Sequence, residues 1–258
     1  MKASDIAKIL DKIAPPKLAY RGEELGLVVG SGNREVKVLG VTERPTVDVL
    51  QEAVDKNVDL LVIHEPLYHS EKAFLIDKSS LSFPPNRKRE KLVQKGGFAI
   101  FRYHSQWDDA EEGNNETLAE ILGVKVTEKI PYGRIGKISE TTLGKLANDV
   151  KNKLGCAGVL VVGDKSKKVE TVAVIAGSGN SLTDFMEFVK QKGVDVLISG
   201  DITDGRARFA QELGLAVIDA GDYWTENPGA KRLVNILRKK LSEIKVLHLD
   251  PGKPWVVV

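Results

Sequence analysis

The chain has 258 residues, 42% of them hydrophobic and 29% charged, a balance that supports packed cores and excludes a disordered chain. Net charge is +2 with acidic and basic residues interleaved, so nothing draws the chain generally to nucleic acid or to an anionic membrane. One cysteine, Cys156, excludes an intramolecular disulfide and a cysteine zinc cluster; a small buried position is its expected place.

In chain order, residues 1–15 read as an amphipathic helix with Ser4 as N-cap, without the apolar core and cleavage site of a signal peptide. No apolar run approaches the ~20 residues that span a bilayer. These features predict a soluble cytoplasmic protein, and plentiful charge with scarce Gln leans toward a thermophile.

Residues 36–66 (VKVLGVTERPTVDVLQEAVDKNVDLLVIHEP) and 172–202 (VAVIAGSGNSLTDFMEFVKQKGVDVLISGDI) align without a gap, 136 residues apart. Each has a β-branched run, a polar turn, an amphipathic segment (Val47, Leu50, Val54; Leu182, Phe185, Val189), an Asn or Gly stop and a second apolar run. Strand, crossover helix, strand is a βαβ unit with parallel strands.

The echo continues. FAIFRYHSQWDD (98–109) and LAVIDAGDYWTE (215–226) are apolar strands ending in polar loops that lead into helices. Asn114 or Asn115 is placed to cap the first helix with Gly123 as its stop, and Asn227 to cap the second with Pro228 at the first position. The pattern predicts an α/β fold of two similar lobes from an internal duplication. The first is residues 1–125, the second 126–226, and 227–258 is placed to pack back on the first. Residues 69–95 have no counterpart and read as a polar, Pro-broken excursion, a candidate flap.

Ligand sites in α/β sheets lie at the carboxyl ends of strands. His64 and Glu65 follow DLLVI, His104 follows FAIFRY with Asp108 four residues on, and Asp222 follows LAVIDAG with Glu226 four residues on. At a slip of one residue His104 matches Asp222 and Asp108 matches Glu226. Six nitrogen and oxygen donors suit a pair of divalent ions bridged by a carboxylate. The blander reading gives the acids to helix starts, where they complement the macrodipole, and His64 to the core. HEPLYH is not the zincin motif, because His69 lies five positions from His64 and Pro66 would break the helix that motif needs. His69 and His248 read as surface or supporting residues, and GSGNS (177–181) as a tight turn.

ELGLVVG (24–30), HEP (64–66), HSQWD (104–108), GSG (177–179), SGD (199–201) and DAGDYWTE (219–226), in this order, resemble the NGG-interacting-factor-three-like family. Its bacterial members are labelled GTP cyclohydrolase I type 2 homologs. The resemblance covers nearly the whole chain and fits the short form without an inserted domain. It implies two α/β lobes, a dinuclear metal site in the cleft between them and a toroidal homohexamer. His64, His104, Asp108 and Glu226 keep the family's residue types, whereas Glu65 and Asp222 stand where the family usually has His.

Exchanging two imidazoles for carboxylates shifts the implied preference toward Mn²⁺, Fe²⁺ or Mg²⁺ over Zn²⁺. Four clustered carboxylates without metal are expected to raise one another's pKa. Three functions compete: a metal-dependent hydrolase of a nucleotide or phosphoester-like substrate, a metal chaperone or cofactor-binding scaffold without turnover, and an assembly protein whose oligomer is the working surface. Glu43, His69 and Asp201 are further candidates for bases or anchors. The expected partners are further copies of the chain and a small-molecule substrate.

Overall fold

In the computed structural model, residues 1–258 are described except Ala73, Phe74, Asn180 and Ser181. The chain runs α1 (Ala3–Ile13), β1 (Gly26–Val29), β2 (Val38–Thr42), α2 (Val47–Asp55), β3 (Leu60–Ile63), α3 (Pro84–Gly96), β4 (Ala99–Arg102), α4 (Ser105–Asp109) and α5 (Asn114–Leu122). It continues β5 (Lys125–Ile130), β6 (Gly133–Thr142), α6 (Leu143–Leu154), β7 (Leu160–Val162), β8 (Lys168–Val174), α7 (Thr183–Gln191), β9 (Val196–Ser199), α8 (Asp204–Leu213), β10 (Ala216–Asp219), α9 (Asp222–Lys240) and β11 (Lys245–His248). It forms two compact units: Met1–Ala110 with Ala230–Gly252, and Glu111–Gly229 with Lys253–Val258. No helix among the described residues is long and apolar enough to cross a membrane.

The first unit holds a five-stranded sheet in the order β1-β4-β3-β2-β11. β11, β2, β3 and β4 are parallel, and β1 closes the edge antiparallel to β4. Because β3 is buried along its whole length, its sequence is a continuous apolar run. α2 starts where Thr46 accepts from Val49 N at 3.2 Å and buries Val49, Leu50 and Ala53; Val54, expected in the apolar face, is only partly buried. α1 begins at Ala3, so Ser4 is not its cap. The first free amides bond instead to Arg34 O at 2.8 Å and Gly32 O at 2.9 Å, which removes the need for a side-chain cap.

The second unit holds a six-stranded sheet in the order β5-β6-β8-β9-β10-β7, with β8, β9 and β10 parallel. The duplication reaches into backbone detail. Asp59 Oδ2 accepts from Lys37 N and Val38 N at 2.8 and 3.0 Å, and Asp195 Oδ2 accepts from Glu170 N and Thr171 N at 3.0 and 2.9 Å. Asn57 (φ 50) and Gly193 (φ 76) end the matching helices in the left-handed region, as the stops required.

The ungapped repeat is nevertheless wrong in its first strand. Leu39 pairs with Leu60 while Val172 pairs with Val196, so β8 stands three residues earlier than the alignment puts it. Leu182, expected in the apolar face of α7, is exposed and precedes that helix.

Further local expectations are corrected. α5 is capped by Gly113, and Asn115 is used elsewhere, accepting from Ala176 N at 2.8 Å. This helix, placed in the first lobe on sequence, gives Leu118, Ala119 and Leu122 to a core of the second unit. α9 starts at Asp222 and runs through Pro228, so neither Asn227 nor Pro228 opens it. Pro228 cannot donate to the Trp224 carbonyl, and the helix continues without that bond. Residues 69–95 contain a 3-10 turn (Lys78–Ser82) and the 13-residue α3, with Pro84 and Pro85 in its first turn, rather than an irregular excursion throughout.

Candidate metal centre

In the first unit β2, β3 and β4 run parallel, so the residues after each strand meet at one edge: Glu43 after β2, His64 and Glu65 after β3, His104 after β4. α4 follows at once and returns Asp108 to His104. His64, His104 and Asp108 each offer a ligand atom within 4.8 Å of the others. His64 Nε2 is 3.5 Å from Asp108 Oδ1, and His104 Nε2 is 4.0 Å from Glu65 Oε1. Donors on one ion stand about 3–4 Å apart when bonds are near 2.1 Å, so these separations suit coordination.

The back of each imidazole is fixed. His64 Nδ1 donates to Tyr103 O at 3.0 Å. Tyr103 is itself pinned, its ring stacked on Trp107 with centroids 5.6 Å apart and its hydroxyl donating to Leu10 O at 2.8 Å. His104 Nδ1 donates to Glu23 Oε1 at 2.6 Å, and Glu23 also accepts from the Ser105 hydroxyl. A carbonyl or carboxylate on Nδ1 sets the tautomer and leaves the Nε2 lone pair for a cation. The two rings lie 4.6 Å apart.

Glu23 is the residue that sequence reading missed. It sits before β1, 81 positions from His104, inside no recognisable spacing. Burial raises its pKa, but the hydrogen bond and charge of His104, helped by Ser105 and Arg102, hold it below the ordinary value. Glu23→Gln is expected to weaken divalent-metal affinity by roughly 10–100-fold, measured by competition with a chelating dye.

The charge balance differs from the expectation of mutually repelling acids. Burial alone would raise Glu65, but Arg44, His104, His64 and Arg102 together lower it. Arg44 pairs with Glu43 at 3.2 Å and with Glu65 at 3.6 Å. Glu43 is buried and within 4.8 Å of Glu65, so it joins this cluster.

In the second unit Asp222 follows the carboxyl end of β10, and Glu226 stands one helical turn on. Their carboxylates approach within 4.8 Å, and both side chains are buried. Gly177 at the carboxyl end of β8 makes room for them: a Cβ there would lie 2.2 Å from Glu226 Oε1. GSGNS is read only as far as Gly179, because Asn180 and Ser181 lie outside the described residues.

Asp201 is exposed, with φ 62, and belongs to no candidate ligand group among the described residues. His248 ends β11, where burial foremost lowers its pKa. Cys156 is buried, as expected, with its thiol pushed up to about 11 by desolvation.

Fold and residues together define an α/β protein of two related units whose strand ends carry histidine and carboxylate groups able to hold a metal ion. The model of the Duf34/NIF3 (NGG1p interacting factor 3) family matches residues 1–252, and the chain belongs to this family. It is 30% identical over 257 residues to the GTP cyclohydrolase 1 type 2 homolog of Methanocaldococcus jannaschii, covering 97% of this chain and 100% of that protein. The structure of reduced HcgD from Methanocaldococcus jannaschii is 28% identical with a TM-score of 0.79, covering 96% of this chain and 98% of that one. The Bacillus cereus protein related to NIF3 shares the fold, with a TM-score of 0.85 at 21% identity over 100% and 99% of the two chains.

Proposed function

We propose that the protein is a dinuclear metal-dependent hydrolase of a nucleotide or phosphoester-like substrate. His64, Glu65, His104, Asp108, Asp222 and Glu226 would hold the ions, and the homo-oligomer, a hexamer, would be its working form. The observation that carries the reading is the pair of imidazoles tied at Nδ1, with Nε2 left toward Glu65 and Asp108. A metal-ligating histidine almost always donates its other ring N–H to a carbonyl or carboxylate in this way. Asp222 and Glu226 enter because their half of the duplication carries carboxylates one residue from the positions of His104 and Asp108.

Two oxygen-rich ion sites favour Mn²⁺, Fe²⁺ or Mg²⁺ over Zn²⁺ and would supply Lewis acidity to an oxygen-bearing substrate. The residues fit that role: Glu23 and the Tyr103 carbonyl orient the imidazoles, and Arg44 and Arg102 offset the carboxylates. The test is a panel of nucleotides and phosphoesters with the Mn²⁺-loaded chain. Turnover that disappears in His104→Ala and in Glu226→Gln supports the reading. Metal uptake with no turnover on any member favours the metal-chaperone or scaffold alternative.

A further inference from the structure

His69 is a surface residue that the interior holds in one orientation. Asn86, fully buried on α3, clamps its backbone at both groups: Oδ1 accepts from His69 N at 2.9 Å and Nδ2 donates to His69 O at 2.8 Å. Arg89, one turn further along α3 and 4% exposed, donates from Nη2 to His69 Nε2 at 2.8 Å and from Nη1 to Leu67 O at 2.8 Å. A guanidinium has only donors, so Nε2 must accept and the ring proton sits on Nδ1. The exposed ring therefore presents an N–H donor, and no group among the described residues accepts from it.

The charge behind this donor is unbalanced. Arg89 Nε makes no hydrogen bond, and no carboxylate pairs with Arg89 among the described residues. Burial and the neighbouring Arg44 push Arg89 down to about 10. Burial, Arg89 and Arg44 likewise lower His69. A buried cation without a counter-charge is costly and is found where something else supplies the charge. Arg44, whose charge acts on both Arg89 and His69, itself pairs with Glu65 at 3.6 Å.

We propose that His69 Nδ1–H, held in place by the buried Arg89 behind it, forms a subsite for a tetrahedral oxyanion, the phosphate group of the substrate. The subsite rests on the reading above, because it serves catalysis only if the substrate's phosphate binds where the metal acts. His69 binds, and Arg89 and Asn86 are positioning residues. An imidazole N–H suits a phosphate oxygen, and hydrogen bonds to a charged acceptor are the stronger kind.

The experiment titrates inorganic phosphate, and phenyl phosphate in a second arm, into the chelator-stripped full chain by calorimetry, with ¹⁵N imidazole spectra recorded alongside. Saturable binding is expected, with His69 protonated at Nδ1 and its resonances moving as phosphate is added. His69→Ala should weaken binding at least about 10-fold, which is the loss of one charge-assisted hydrogen bond. His69→Gln should recover part of it, and Lys88→Ala, an exposed cation on the same helix, should leave it within about 2-fold.

Equal affinity in wild type and His69→Ala overturns the subsite, as does no binding by the metal-free wild type. Phosphate bound only after Mn²⁺ loading, insensitive to His69→Ala, overturns it and leaves the metal centre standing. Phosphate bound through His69 in a chain that takes up no metal supports it and removes the metal reading.

Discussion

Excess Mn²⁺ or Fe²⁺ added to the chelator-treated protein is expected to raise its melting temperature by roughly 5–10 °C. A ligand that binds only the folded chain stabilises it by about 2.7 kcal/mol at one hundred times its Kd, and chains of this size gain about 2–4 °C per kcal/mol. Scanning calorimetry with and without EDTA measures the shift. His104→Ala should abolish most of it. Because the substitution also leaves the buried Glu23 carboxylate without its 2.6 Å partner, the metal-induced shift is read against the variant's own EDTA-treated Tm, which is expected to lie below that of the wild type.

Arg44 and Arg102 make that shift smaller than it would otherwise be, since they already offset part of the carboxylate charge that the ions would neutralise. The same pairing fixes a pH dependence of the metal-free chain. Glu23 and Glu65 have folded-state pKa values below their ordinary ones, the first through His104 and the second through Arg44 foremost, each against its own burial. Their stabilisation is therefore fully present above the unfolded value of about 4.3 and is lost as pH falls through the lower folded values. A melting temperature unmoved by either ion at neutral pH would remove the metal linkage outright.

Gly177→Ala is expected to cost about 2–4 kcal/mol of stability, read from denaturant unfolding. Gly177 has φ +74, a conformation that costs an alanine about 1–2 kcal/mol. Its new Cβ would also stand 2.2 Å from Glu226 Oε1 and 3.4 Å from Asp222 Oδ1, so both carboxylates must shift. The turn has little freedom to relax. Gly177 N donates to Thr225 Oγ1 at 3.0 Å, and Gly177 O accepts from Ser199 Oγ and Gly200 N, each at 2.8 Å. A loss below about 1 kcal/mol would mean that the loop yields and that Gly177 does not hold the carboxylates in place.

These particulars show what a linear sequence can and cannot reveal. The strand-end candidates were legible because parallel strands buried on both faces leave mainly apolar runs, broken here only by a charged last residue in β4 and β10, and the polar residues that follow such a run lie at its carboxyl edge. His64, Glu65, His104 and Asp222 came from that rule, and Asp108 and Glu226 from the four-residue spacing that follows His104 and Asp222. Glu23 and Arg44 were not legible as partners, since each acts through a contact between loops whose packing no periodicity encodes.

Local rules failed where tertiary contacts replaced them. Asn115 looks like a cap and instead holds Ala176 N, Ser4 gives way to the 32–34 loop, and Pro228 sits inside a helix whose Asp222 start lies one turn and more before it. The gapless repeat hid a three-residue insertion, because β-branched runs of similar length align equally well when slipped. Charged residues in α3 concealed a helix whose buried residues include Asn86 and Arg89, a polar interior that hydrophobic patterning does not detect.

The central proposal is that Asp222 and Glu226, as well as His64, Glu65, His104 and Asp108, bind metal. Elemental analysis of protein purified without chelators, made in parallel on wild type, Asp222→Asn and Glu226→Gln, tests it most directly. The account predicts roughly two Mn, Fe or Mg ions per wild-type chain and the loss of at least one in either variant. Metal content unchanged by both substitutions, or no metal in the wild type under any loading condition, would contradict it.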